Sequence, residues 1–326
     1  MKSIKDLSQN PSMSDNNCKW IVEGIIKKGK INTLFADPAC GKTQLIVHMA
    51  TAISDGKDFL GHKTNKCRIL IISTEASYDD MYERFQKAGL KNTDNVVLDC
   101  DNDITPMNLG FKASEYDLVV IDVLVDYFSQ CVTDQNNYSD VYNVFSNLRK
   151  STLLKDCTII LVSHLNKKGL PMGSQAFLAA ADTRMFMYAP SGITSPFRKL
   201  KWYGKQVKPQ ELNILFSFEK LEITNTDLSE KSVQFNVILA IVINYVNQVR
   251  TVEESASTLI SKLSLHKLGC FETNLTKILN DNIETLNDNG IKLTVGRKHK
   301  GRFIKLECVD DVTGDSEITV TPVKED

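Results

Sequence analysis

The 326-residue chain contains no run of about 18 apolar residues, so no stretch of it reads as a membrane-spanning helix. Its start, Met1-Lys2-Ser3-Ile4-Lys5-Asp6, has no apolar segment of the kind a secretory signal needs, and the expectation is a cytoplasmic protein. Metal-ligand and disulfide patterns are missing as well. The eight cysteines (18, 40, 67, 100, 131, 157, 270 and 308) include no C-x-x-C, which indicates neither a structural zinc nor a disulfide framework and leaves reduced, mostly buried thiols. There is no excess of one charge. With 39 Lys and Arg against 40 Asp and Glu, the net charge is −1, which argues against a protein coated in positive charge. Internal repeats and low-complexity tracts are absent too. What is present is a 42% hydrophobic composition, enough to fill one large domain and a small one.

The most informative segment is Ala36-Asp37-Pro38-Ala39-Cys40-Gly41-Lys42-Thr43. It follows the apolar run Ile31-Asn32-Thr33-Leu34-Phe35 and opens a helical stretch from Gln44 to Ser54, the setting a phosphate-binding loop requires. The segment from Asp37 to Gln44 is expected to wrap a β-phosphate with the backbone N–H groups of the loop and the helix N-terminus, Pro38 having none to offer, while Lys42 reaches the β- and γ-phosphates and the Thr43 hydroxyl takes Mg²⁺. The expected ligand is ATP with Mg²⁺. One position departs from G-x-x-x-x-G-K-[ST]: Ala36 stands at the first glycine, so the loop must enter without a left-handed residue there. The blander alternative is an ordinary strand-to-helix turn that happens to contain Gly-Lys-Thr.

Beyond the loop, strand-like and helix-like segments alternate: Arg68 to Ser73, Tyr78 to Ala88, Leu118 to Ile121, Tyr138 to Leu154 and Thr158 to Val162. Short buried runs between amphipathic helices predict an α/β fold with a mostly parallel sheet. Arg184 to Tyr188, Phe197 to Tyr203 and Leu212 to Phe218 then predict an antiparallel extension of the same sheet. The polar stretch 224–231 reads as a linker. After it come helices over Phe235 to Val249, from a capping box at Thr251-Val252-Glu253-Glu254 to about Leu263, and over Phe271 to Asn287. A hairpin follows, turning at Lys298 to Gly301. Three helices and a β-wing predict a winged helix-turn-helix, with a small helical dimerisation domain as the alternative. The expected organisation is an extension over 1–18, an ATPase domain over 19–223, the linker, a winged-helix-like domain over 232–309 and an acidic disordered tail over 310–326.

Asp122 ends the run Leu118-Val119-Val120-Ile121 and is expected at the sheet edge beside the loop, as the Walker B acid that serves Mg²⁺. Glu75 follows the strand ending at Ser73; it reads either as the base that orients water or as an N-cap for the helix near Tyr78. His164 stands in the position of a γ-phosphate sensor, with capping or core satisfaction as its alternative. The loop behind it carries Lys167 and Lys168, candidate contacts to a phosphate backbone or a solvated surface loop. Near the end, Arg297, Lys298 and Lys300 make a basic hairpin, a candidate nucleic-acid contact.

In order and spacing these landmarks resemble the RepA-like branch of RecA-type hexameric ATPases, the AAA domain of the RecA class found in plasmid and phage replicative helicases. The resemblance covers roughly residues 19 to 220. It rests on Trp20 to Ile26, the phosphate loop, Ser73-Thr74-Glu75, Val120-Ile121-Asp122, Ser163 to Lys167 and Gly173 to Asp182. It implies a RecA-like P-loop core, Walker A contacts at Lys42 and Thr43, a catalytic Glu75, Asp122 as Walker B and His164 as sensor. It also implies a ring, a hexamer, with ATP between subunits and a basic finger from the neighbour. Arg184, Arg198, Lys199 and Lys201 are the finger candidates, since the usual Lys-x-Arg near Trp202-Tyr203-Gly204 is not cleanly present. The expected function is an ATP-driven ring motor on single-stranded DNA, a replicative DNA helicase of plasmid or phage type. The alternative is an ATP-dependent regulator or loader that reads duplex DNA through its winged helix.

Overall fold

The computed structural model describes residues 19–129, 137–143, 146–147, 157–166, 176–217, 220–298 and 301–309. The expectations for 1–18, Lys167, Lys168, the loop to Ser174, Lys300 and the tail 310–326 fall outside these residues, as does most of the helix expected over Tyr138 to Leu154. The chain divides into two compact units, 1–189 with 198–226 and 190–197 with 227–326.

In the first unit, β1 (Trp20–Val22) and β2 (Ile26–Lys27) pair as a short antiparallel hairpin. Nine further strands form one sheet: β3 (Ile31–Ala36), β4 (Ile69–Ser73), β5 (Val96–Asp99), β6 (Leu118–Asp122), β7 (Thr158–His164), β8 (Thr183–Tyr188), β9 (Phe197–Gly204), β10 (Val207–Ser217) and β11 (Glu222–Thr226). Their order is β11-β10-β9-β8-β3-β7-β6-β4-β5. Pairing is parallel from β8 through β5, then turns antiparallel at β8–β9 and β10–β11. This is the expected α/β architecture, a mostly parallel sheet with an antiparallel extension.

The central strands are apolar at nearly every position because both faces are covered. Leu34, Ile69, Ile71, Val120 and Ile160 enter one core, while Phe35, Leu70, Ile72, Val119, Ile159 and Leu161, on the opposite parity, enter the second. Each such side chain removed from water contributes about 1.5–3 kcal/mol, so the sheet centre is the part of the unit hardest to open. Helix α1 (Lys42–Asp55) follows β3 and ends at Gly56, whose φ of 70° suits the left-handed stop. Helix α2 (Tyr78–Lys87) follows β4. On β9, Arg198, Leu200 and Trp202 are buried, and the Trp202 indole donates to the Gly24 carbonyl at 3.0 Å, tying the β1–β2 hairpin to the sheet.

The second unit is built on α3 (Glu230–Val249), whose Ile238, Leu239, Val242, Ile243 and Val246 are buried in its own core. That helix is long and apolar enough by composition to cross a membrane, but this stripe at helical spacing packs against protein. Then come β12 (Thr251–Glu254), α4 (Ala256–Lys262), α5 (Glu272–Asp281), α6 (Ile283–Asp288) and the hairpin β13 (Ile291–Lys298) and β14 (Gly301–Cys308). The sheet order is β12-β14-β13.

Three expectations change here. Residues 224–231 are no free linker, since Thr224 to Thr226 complete β11 and Glu230 begins α3. Thr251 to Glu254 form a strand rather than a capping box, because pairing with β14 buries Val252 while Thr251 and Glu253 face out. The cap is Ser255, whose hydroxyl accepts from the Thr258 N–H at 3.1 Å. The helix expected over Phe271 to Asn287 breaks at Asn282, whose side-chain amide donates to the Ile278 carbonyl at 2.8 Å.

Candidate nucleotide site

Four parallel strands deliver the site from their C-terminal ends. Ala36 pairs with His164 across β3 and β7, and Ser73 pairs with Asp122 across β4 and β6. The loop between β3 and α1 turns through Ala39 at φ 58° and Gly41 at φ 103°, so Ala36 stays in the strand and needs no left-handed conformation. Asp37, Pro38 and Ala39 are exposed, whereas Cys40 is buried. Helix α1 has neither a side-chain cap nor an acidic residue in its first turn. Among the described residues no side chain caps its N–H donors, which leaves this helix end suited to an anion.

Lys42 is only 6% exposed. Its amine donates to the Ala36 carbonyl at 3.4 Å and the Asp37 carbonyl at 3.1 Å, and lies 2.9 Å from His164 Nδ1. Burial pushes its pKa below the usual lysine value, with Asp122 opposing that shift. With Lys42 charged, its ammonium only donates, so Nδ1 is the accepting nitrogen and Nε2 is left to face outward from this contact. That nitrogen lies 3.6 Å from Glu75 Oε1. Glu75 is exposed and is not the helix cap: Ser77 fills that role, in a reciprocal box with Asp80. Of the two sequence readings for Glu75, the structure leaves the carboxylate beside the phosphate loop.

The Thr43 hydroxyl donates to Asp122 Oδ2 at 2.7 Å, while the buried Oδ1 has no hydrogen-bond partner among the described residues. A hydroxyl and an unsatisfied carboxylate oxygen beside an uncapped helix end are a hard-oxygen donor set of the kind Mg²⁺ takes. Burial, the largest influence, raises the Asp122 pKa. The folded form thus holds its proton more readily than the unfolded chain, so this residue's contribution to stability falls as pH rises from the ordinary carboxylate value through the raised one. Without metal or nucleotide, Asp122→Asn is expected to melt above wild type at pH 7, and the order is expected to reverse with saturating Mg²⁺ and ATP. Differential scanning calorimetry in both conditions checks this.

Other sequence candidates separate clearly. The Gln44 side chain is occupied away from the loop, donating to the Leu221 carbonyl at 2.6 Å and accepting from Arg84 at 3.3 Å. Arg198 is fully buried and its Nε donates to the Cys40 carbonyl at 3.0 Å, so it cannot reach a neighbouring subunit as a finger. Arg184 donates to the Leu178 carbonyl at 2.8 Å and lies over the Tyr203 ring. Lys199 and Lys201 share Glu211, at 2.8 and 2.9 Å. Burial pushes the Cys40 thiol up, which makes it a weak nucleophile. Two contributors escaped the sequence reading, Arg198 in its buried role and Phe216 against Gly41. The alternation of Arg198 with buried Leu200 and Trp202 was the available signal for the first.

Residues 9–169 match the family model described as an AAA domain, a span that holds Lys42, Thr43, Glu75, Asp122 and His164. Among solved structures, the ATPase domain of a helicase aligns at TM-score 0.52 and 13% identity, covering 69% of this chain and 97% of its own. The RadB recombinase aligns at TM-score 0.45 and 12% identity, covering 61% of this chain and 92% of its own. No curated protein matches the chain. The likeness to the helicase ATPase domain is one of fold.

Proposed function

From membership of the RecA-type helicase and ATPase family, we propose that this chain hydrolyses ATP to drive a ring-forming motor on single-stranded DNA, as a plasmid- or phage-type replicative helicase does. The observation that carries the reading is the meeting of Lys42, Thr43, Asp122, His164 and Glu75 at four adjacent strand ends. In this reading the uncapped α1 end and Lys42 bind the β- and γ-phosphates. Thr43 and Asp122 would hold Mg²⁺, which screens phosphate charge and orients the oxygens when bound. Glu75 orients a water and accepts its proton as the water oxygen bonds to the γ-phosphorus and the bond to the ADP oxygen breaks. His164, between Lys42 and Glu75, senses whether the γ-phosphate is present. Arg184, Lys199 and Lys201 are the surviving candidates for a finger acting on a neighbour's nucleotide.

The test is steady-state ATP hydrolysis with and without single-stranded DNA, beside a mass measurement of the assembled species. Strong stimulation and a hexamer-sized mass support the motor; DNA-indifferent turnover by a small species counts against it.

A groove in the second unit favours a second reading, an ATP-dependent DNA-binding regulator or loader. It holds about 1070 Å³ between the α4 N-terminus, α5 and the β13–β14 hairpin, and Thr276, Lys277, Asn280, Arg297 and Arg302 line it. The helices, the three-stranded sheet and this basic hairpin support a winged-helix-like domain, with Glu272 and Asp281 on the same groove. If the groove takes duplex DNA, Lys277→Ala and Arg297→Ala each weaken binding and lower the slope of log affinity against log salt by about 0.9. Fluorescence anisotropy over a salt series reads both quantities; unchanged slopes remove DNA from this groove.

A further inference from the structure

The fully buried Arg198 lies beneath the phosphate loop, within the first unit. Its Nε donates to the Cys40 carbonyl at 3.0 Å, and its guanidinium sits 5.7 Å from the centre of the Phe216 ring. Phe216 in turn closes on Gly41: a Cβ built there would lie 3.1 Å from the ring. The Cys40 thiol donates to the Met187 carbonyl at 3.7 Å, fixing the same residue from β8. Strands β8, β9 and β10 therefore reach the loop at one point each, through Met187, Arg198 and Phe216.

The Cys40–Gly41 peptide is trans. In a trans peptide the carbonyl and the following N–H point in opposite directions. Drawing the Cys40 carbonyl toward Arg198 thus turns the Gly41 N–H the other way, and among the described residues no hydrogen bond occupies that N–H. Glycine at φ 103° lets the peptide rotate at little steric cost, so the loop's own backbone does not fix this orientation. A charged donor does, and it also polarises the peptide toward a stronger N–H.

We infer that Arg198 is a positioning residue for nucleotide binding: from behind the loop it fixes the Cys40–Gly41 peptide so that the Gly41 N–H is presented to the β-phosphate of a nucleoside di- or triphosphate. This rests on the nucleotide-binding reading above and adds to it a named cause of phosphate affinity. The contact exists equally in the ground and transition states, so it acts on binding more than on turnover.

The experiment is calorimetric titration of wild type, Arg198→Met and Arg198→Lys with ADP and with AMP, alongside melting curves and ATPase kinetics. Arg198→Met is expected to bind ADP about 10- to 100-fold more weakly, while AMP, which lacks the β-phosphate, binds as in wild type. KM for ATP rises by the same factor with kcat within about twofold, and Arg198→Lys recovers part of the affinity by keeping a charged donor. Wild-type ADP affinity in Arg198→Met overturns the proposal, as does equal loss of ADP and AMP. If Arg198→Met does not fold, Arg198→Lys decides: a lowered melting temperature with unchanged ADP affinity gives the residue a structural role only. Failure of wild type itself to bind ADP rejects the underlying nucleotide reading and the proposal with it, a result separate from a mutant that binds normally.

Discussion

Lys42→Ala is expected to lower kcat/KM for ATP by about three orders of magnitude, the loss typical of removing a charge aimed at a reacting oxyanion. The size follows from where the amine sits. It is almost fully buried, and burial already disfavours its charge, so its resting partners are two carbonyls and a histidine nitrogen rather than a carboxylate in direct contact. A triphosphate supplies the missing negative charge in a place where water screens little. Lys42→Arg is not expected to rescue, because the planar fork needs space that a site closed by Ala36, Asp37 and His164 does not offer. Phosphate release measured at saturating and at limiting ATP separates the two parts of the loss. Turnover retained in Lys42→Ala at high ATP excludes this loop as the hydrolytic site.

The features that were legible in the sequence are those fixed by strand ends. A loop between an apolar run and a helix, an acid closing Leu118 to Ile121 and a histidine closing the strand from Thr158 all land on one sheet edge, because parallel strands share a direction and their C-termini align. Features that depend on which face a side chain takes were harder to read. Arg198 sits in a cluster with Lys199 and Lys201 and looks like a solvated charge, yet strand parity puts it with Leu200 and Trp202 in the core. Thr251-Val252-Glu253-Glu254 satisfies the capping pattern, but a cap of about 1 kcal/mol competes with four paired residues of a sheet and the burial of Val252. The edge strands β5, apolar from Val96 to Leu98 but only partly buried there, and β11, polar at every position but Ile223, are short, and only their neighbours make them strands.

Glu75→Gln is expected to keep ATP binding and lose hydrolysis, with kcat down by about 10²- to 10⁴-fold, the range general bases contribute. Its carboxylate is exposed, caps no helix and stands 3.6 Å from His164 Nε2. Glutamine preserves the length of the side chain and an acceptor oxygen for that ring, but it cannot take a proton from water. The substitution therefore separates positioning from basicity, which Glu75→Ala would not. If ATP drives assembly, the variant accumulates the assembled, ATP-bound form, because entry is intact and exit by hydrolysis is blocked. Size-exclusion chromatography with light scattering, run with ATP and Mg²⁺, reads the mass, and single-turnover kinetics read the chemical step. A variant that hydrolyses at the wild-type rate moves the base elsewhere. One that neither binds ATP nor hydrolyses it shows that the contact with His164 holds the pocket together, which would make Glu75 a structural residue of the site.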